Sequence, residues 1–247
     1  MLIVANWKAY VENLERARKL FAISAKLSRA TKNTVVLAPP APFIGALALG
    51  NKSPAAFAAQ DISVTTGGAK TGEVTAQMYS SLGVSYALIG HSERRALGDT
   101  DPIITEKLSH AIACNLTPIL CIGEQERDRE GRYLAFVREQ ITTAFATLTT
   151  KERVKIVIAY EPLWAIGKTA ESAIRPDDLS EMVLYIRKIL SVLLPGRNSL
   201  HAIVLYGGSV EPGGVRSLAI ETGVDGFLIG HASVDEQSFA TIVKELS

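Results

Sequence analysis

The sequence predicts an α/β fold, an eight-stranded parallel (β/α)8 TIM barrel with outer helices, formed by residues 1–247 as a single domain. Eight short apolar runs recur along the chain, and segments of helical periodicity alternate with them. The runs are apolar at successive positions, as in parallel strands covered on both faces. The third observation is size: 247 residues with 47% hydrophobic content match the about 250 residues that eight such units need. An open, doubly wound sheet is the competing topology, and it requires a Gly-rich fingerprint after its first strand. Here the first strand runs into Asn6-Trp7-Lys8 instead.

The strand candidates are Leu2–Ala5, Thr34–Ala38, Ala55–Ala59, Tyr86–Ile89, Pro118–Ile122, Ile156–Tyr160, Ala202–Tyr206 and Gly226–Ile229. The first helix places Leu14, Ala17, Leu20, Phe21, Ser24 and Leu27 on one face, with Glu15, Arg16, Arg18 and Lys19 elsewhere. Asn13 is its N-cap, since a short side-chain oxygen there can accept from the first free N–H groups. The clearest helix starts at Pro176-Asp177-Asp178 and carries Leu179, Met182, Val183, Ile186, Ile189, Leu190 and Leu193 on one stripe. Proline in the first turn lacks an N–H that would be unpaired there, and the two acids suit the positive end of the helix dipole. Pro195-Gly196 stops it. No Pro/Gly/Ser-rich linker, low-complexity stretch or charge block divides the chain.

Lys plus Arg total 26 and Asp plus Glu 25, giving a net charge of +1. That balance supplies no basic face for nucleic acid or acidic membrane, so small-molecule chemistry is the expectation. Cys114 and Cys121, the only cysteines, are too few for a disulfide framework and lack metal-site spacing. Reduced thiols, entry directly on Leu2-Ile3-Val4-Ala5, and the lack of any apolar stretch of roughly 18 residues together predict a soluble, cytoplasmic protein.

Polar groups follow the apolar runs at once. Glu161 closes the run Ile156–Tyr160, and Pro162 restricts it to extended backbone before a Gly-containing loop. Asn6 and Lys8, His91, Gly207-Gly208-Ser209 and Gly230-His231 hold the same position after other runs. Taken singly, Lys8 is a solvated lysine, His91 a hydrogen-bonded structural histidine and Ser209 a turn residue. In a barrel, however, all of these are C-terminal strand ends, the face on which barrel enzymes build their sites. The glycine turns after the seventh and eighth strands present N–H groups where barrels commonly hold phosphate.

Five motifs carry a resemblance to the triosephosphate isomerase family: Asn6-Trp7-Lys8; Gly90-His91-Ser92-Glu93-Arg94-Arg95; Cys121-Ile122-Gly123-Glu124; Ala159 through Glu161-Pro162-Leu163-Trp164 to Gly167; and Tyr206-Gly207-Gly208-Ser209-Val210. They stand in family order, and the Gly230 turn follows them. The resemblance implies an intramolecular oxidoreductase, an aldose–ketose isomerase that interconverts dihydroxyacetone phosphate and D-glyceraldehyde 3-phosphate through an enediolate, in glycolysis and gluconeogenesis. It implies no metal and no organic cofactor. Glu161 would be the base, His91 the hydrogen-bond donor to the carbonyl oxygen, and Lys8 the positive charge, the assignment that general accounts of this family use as their worked case. A helix beginning just after His91 would set its positive end against an imidazolium. Asn6, Glu93 and Cys121 would support them, Cys121 by packing rather than as a nucleophile. Phosphate would meet N–H groups of Gly167, Ser209, Gly230 and His231 beside Asn6 and Lys8. Ile166 and Leu228 would form an apolar clamp that strips water from Glu161 when the lid closes. A homodimer through the loop around Thr71 is also implied, with no nucleic acid or membrane partner.

The chain departs from the family pattern in three places. Gly167 is followed by Lys168 through Arg175 without the usual Thr-Gly pair, which leaves the far hinge of the lid unassigned. His231 stands where the phosphate turn normally has glycine, so a positive φ there would be strained. Lys70 replaces an apolar aromatic in the loop Gly67 to Glu73, which lowers the apolar area a partner would bury. An epimerase or aldolase on the same barrel would need a metal cluster or a Schiff-base lysine at a mid-chain strand end, and the sequence has neither. A catalytically retired barrel that only binds sugar phosphates and acts as an interaction protein would have lost the base, the electrophile or the cradle; all three are present.

Overall fold

The computed structural model describes residues 1–165 and 174–247. Eight parallel strands close in sequence order into a barrel: β1 Leu2–Asn6, β2 Thr34–Ala38, β3 Ala56–Ala59, β4 Tyr86–Ile89, β5 Thr117–Ile122, β6 Val157–Tyr160, β7 Val204–Tyr206 and β8 Gly226–Ile229. The helices between them are α1 Leu14–Ala30, α2 Ala41–Ala48, α3 Ala76–Ser81, α4 Ser92–Ala96, α5 Asp101–Ala113, α6 Arg132–Phe145, α7 Thr150–Arg153, α8 Pro176–Leu193, α9 Val215–Glu221 and α10 Glu236–Glu245. The expected eight-stranded barrel is therefore present, in the expected order.

β2, β4 and β8 have the expected bounds, β1 runs one residue further at its C-terminal end, and β3, β5, β6 and β7 differ by a residue or two at their N-terminal ends. Ile156 N–H closes the turn after α7 on Arg153 O, so β6 starts one residue later. Ala202 N–H likewise returns to Ser199 O, at the end of a short 3-10 helix over Gly196–His201. Apolar character alone could not separate these turn-closing residues from the ladder that follows them.

Strand alternation divides the core into two. Leu2, Val4, Val36, Ala38, Ala58, Leu88, Ile119, Cys121, Val157, Ala159, Leu205 and Leu228 come from all eight strands and fill the barrel interior. Their neighbours, such as Ile3, Val35, Leu120 and Ile158, point outward and pack under the helices. The same alternation turns Asn6, the last residue of β1, inward at the C-terminal mouth, together with Glu161 and Gly207, one step past β6 and β7.

The caps follow the sequence. Asn13 accepts from Arg16 N–H at 2.9 Å and starts α1. Pro176 opens α8 with Asp177 and Asp178 in its first turn. Among the described residues, no helix is long and apolar enough to cross a membrane.

The seam where β8 meets β1 leaves no space for a side chain at Gly226, because a Cβ there would lie 1.8 Å from Leu2 O. Gly226→Ala should therefore cost about 3 kcal/mol or more, whereas loss of the cap in Asn13→Ala should cost about 1 kcal/mol. Equilibrium denaturation of the two variants checks the order; a Gly226→Ala protein as stable as Asn13→Ala would refute the seam argument.

Candidate active site

The C-terminal mouth holds a cavity of about 340 Å³ that takes in Asn6, Lys8, His91, Glu161, Ser209 and Gly230, with Leu228 and His231 in its wall. Residues separated by more than 200 positions in sequence thus line one space.

Glu161 begins where β6 ends. Its N–H bonds Ile122 O at 2.7 Å, continuing the β5–β6 ladder, and Pro162 carries the chain away. The side chain turns inward and is 2% exposed. Two glycines make that placement sterically feasible. A Cβ at Gly207 would lie 2.8 Å from Glu161 Cγ, and one at Gly123 would lie 1.9 Å from Glu161 O. Gly208 is similarly constrained by the Tyr206 hydroxyl. Gly207 and Gly208, expected to present N–H groups to a phosphate, are first required by the protein's own groups.

His91 is the N-cap of α4. Its Nδ1 accepts the Glu93 N–H at 3.2 Å, which leaves the ring proton on Nε2 in the neutral tautomer. Nε2 lies 3.3 Å from Glu161 Oε1, and Ser92 N–H lies 3.3 Å from Glu161 Oε2. The start of α4 therefore supplies a backbone donor to one carboxylate oxygen and sets the imidazole Nε2 close to the other. Both side chains are almost fully buried, so each would be costly to leave without a partner.

Lys8 sits just past β1 with φ of 45°, a left-handed conformation uncommon for a side chain-bearing residue. It is held on both sides: its N–H donates to Asn6 Oδ1 at 3.0 Å, and its carbonyl accepts from Gln60 Nε2 at 2.9 Å. Nζ bonds Glu93 Oε1 at 2.6 Å and remains 20% exposed at the cavity. Glu93 is thus a partner of Lys8, at the rim rather than in the cavity wall. Gln60 had no signal in the sequence, being one polar residue after a strand whose single task is to fix two backbone carbonyls.

Cys121 is fully buried inside the barrel and touches the cavity only through Glu161. Burial first, then the Glu161 charge beside it, pushes its thiol well above the ordinary range. That suits packing and disfavours a thiolate. Gly230 caps the short 3-10 helix His231–Val234, and Ser233 N–H and Oγ both donate to its carbonyl. His231 escapes the feared strain: among the described non-glycine residues, positive φ occurs at Lys8 and Asn115. Its exposed ring stands edge-on to Tyr10, with centroids 5.4 Å apart.

Ser209 Oγ donates to Ala165 O at 3.0 Å, tying the turn after β7 to the stem of the loop that follows Glu161. That stem is also anchored on buried Glu124, whose Oε1 accepts from Tyr160 OH at 2.8 Å and Trp164 Nε1 at 2.9 Å. Gly167 and Ile166 lie outside the described residues, as does most of the segment from Lys168 to Arg175. Among the described residues, no group of His, Cys, Asp and Glu could hold a metal ion.

A parallel eight-stranded barrel with a carboxylate, an imidazole and an ammonium converging at its C-terminal mouth defines a barrel enzyme of the acid–base type. The chain matches the Triosephosphate isomerase family over residues 1–246. It is 38% identical to the triosephosphate isomerase of Herpetosiphon aurantiacus, covering 98% of both chains. The enzyme of Carboxydothermus hydrogenoformans is also 38% identical, over 98% of this chain and 97% of its own, and that of Flavobacterium johnsoniae is 34% identical over 98% and 97%. The chain belongs to the triosephosphate isomerase family.

Because the folded protein holds the Cys121 proton and the unfolded chain releases it, this residue's contribution to stability should fall as pH rises through the ordinary thiol range. In the native protein at mildly alkaline pH, iodoacetamide should modify half-buried Cys114 and spare Cys121 until the chain unfolds. Mass spectrometry after timed labelling reads this directly, and rapid native alkylation of Cys121 would contradict it.

Proposed function

We propose that the protein, acting as one domain over residues 1–247, interconverts dihydroxyacetone phosphate and D-glyceraldehyde 3-phosphate by proton transfer through an enediolate. One observation carries this: Glu161 and His91 face the same cavity 3.3 Å apart, with Lys8 Nζ on the same wall. A substrate carbonyl oxygen accepts the His91 Nε2–H, and the Glu161 carboxylate beside it removes the proton of the neighbouring carbon. The oxygen gains negative charge as the enediolate forms, which strengthens the His91 hydrogen bond in the transition state. The Lys8 ammonium adds a fixed positive charge, held by Glu93 at Nζ while Asn6 holds the Lys8 backbone N–H. The backbone turns at Ser209 and at Gly230-His231 receive the phosphate at the other end of the cavity. Leu228 contributes an apolar side of the clamp.

The base and the electrophile would be pointless in a barrel that only binds sugar phosphates. Assay of glyceraldehyde 3-phosphate isomerisation, coupled to reduction of the product, tests this. Glu161→Asp withdraws the carboxylate and should lower kcat about 100-fold, while Glu161→Gln removes the base and should lower it about 10⁴-fold. Wild-type protein that binds inorganic phosphate but shows no turnover would falsify the proposal.

The working form is a homodimer in the cytoplasm. The loop around Thr71 supports this: residues 66–74 are exposed, and Gly67, Gly68 and Gly72 hold it in a projecting conformation with positive φ. Among the described residues, nothing covers that tip. Lys70 makes the buried interface less apolar than an aromatic would. Light scattering should give twice the chain mass of 26.5 kDa, and a fully active monomer at micromolar concentration would overturn the assembly.

A further inference from the structure

Helix α4 and its N-cap His91 place both nitrogens that approach the Glu161 carboxylate, yet the helix has only five residues. So short a helix fixes few of its own backbone groups, and its orientation depends on what holds it from outside. Two arginines on it point to different anchors. Arg94 Nε meets Asp61 Oδ2 at 2.9 Å, within a buried group completed by Asp99 and Lys107. Arg95 turns back the other way. Its Nε donates to Gly90 O at 2.9 Å, Nη1 meets Asp101 Oδ1 at 2.8 Å, and Nη2 makes a long 3.5 Å contact with Cys121 O.

Gly90 is the residue between β4 and His91. It has φ of 72°, and a Cβ there would stand 3.1 Å from Ile104 Cδ1, 3.2 Å from Arg95 Nη2 and 3.4 Å from Cys121 O. The peptide that directs His91 out of the strand is therefore clamped between the guanidinium and α5. Arg95 also lines a second cavity of about 250 Å³ that opens on the far side of Glu161 and includes Ser92 and Gly123. One guanidinium thus braces the electrophile through Gly90 and faces the space beside the base.

We infer that Arg95 is a positioning residue for the isomerisation: its fork, bridging the ends of β4 and β5, sets the angle at which His91 presents Nε2–H to the cavity. The inference rests on the isomerase function proposed above. A lysine keeps the charge but cannot hold the two carbonyls in one planar fork. Displacement of a donor by a fraction of an ångström weakens a hydrogen bond that must tighten as charge develops, so the loss falls on turnover rather than on binding.

The test compares wild type with Arg95→Lys, Arg95→Gln and Asp101→Asn, measuring kcat, KM, the unfolding midpoint, and the imidazole nitrogen and Nε2–H resonances of His91. Arg95→Lys and Arg95→Gln should lower kcat about 10- to 100-fold with KM within about twofold, and should shift or broaden the His91 signals. Asp101→Asn, which leaves the carbonyl contacts in place, should stay within about twofold of wild type in kcat and keep the His91 signals unmoved. Folded Arg95→Lys with wild-type kcat and unshifted His91 resonances would overturn the inference. So would a kcat loss in Asp101→Asn equal to that in Arg95→Lys at a matching drop in midpoint, since general destabilisation would then explain both. If Arg95→Gln does not fold, Arg95→Lys decides. An inactive wild type sinks the isomerase proposal, whereas the His91 resonances still report whether Arg95 positions the ring.

Discussion

Closure of the parallel barrel is the constraint from which the rest of the molecule follows. Once β8 pairs with β1, every strand has two neighbours and every strand runs the same way. All eight C-terminal ends then open on one face. The interior has room for one layer after another of alternating side chains, so their parity decides which residue after each strand looks into the mouth. Tight seams are the consequence: Gly226 lies against Leu2 and Gly123 against Glu161, where no larger residue fits. Glycine here is a demand of strand approach, and the site inherits its geometry from it.

On that frame, the chemistry is concentrated around one short helix. α4 caps itself with the His91 imidazole, offers Ser92 N–H to Glu161, and sends Glu93 to Lys8. Lys8 and Glu93 pair at the rim, while buried Glu161 takes the Ser92 N–H and has the His91 Nε2 beside it. Further out, Arg94 and Arg95 fasten α4 to opposite sides of its surroundings.

The loop after Glu161 is tied at its stem in a comparable way. Glu124 collects Tyr160, Trp164 and the Arg127 guanidinium, which also lies over the Trp164 and Tyr133 rings. Ser209 holds Ala165 from the other side. The residues that place the base and those that place the start of the loop are therefore neighbours on β5 and β6, so the two cannot shift independently.

The sequence by itself determined the barrel, its strand order, the N-cap at Asn13 and the strand-end residues Asn6, Lys8, His91, Glu161, Ser209 and Gly230, because each leaves a local signature in apolar periodicity, capping chemistry or position after a run. It also marked the His231 substitution, but not that its backbone would be unstrained and its ring edge-on to Tyr10. Only the tertiary structure decided which atoms meet: that His91 Nε2 and Glu161 Oε1 are partners, that Gln60 and Asn6 hold Lys8 left-handed, and that Arg95 braces Gly90. Those contacts join residues up to 70 positions apart, such as Glu161 with His91. Local sequence records what a residue needs from its own turn or strand; it carries no mark of which distant backbone carbonyl its side chain will reach once the barrel has closed.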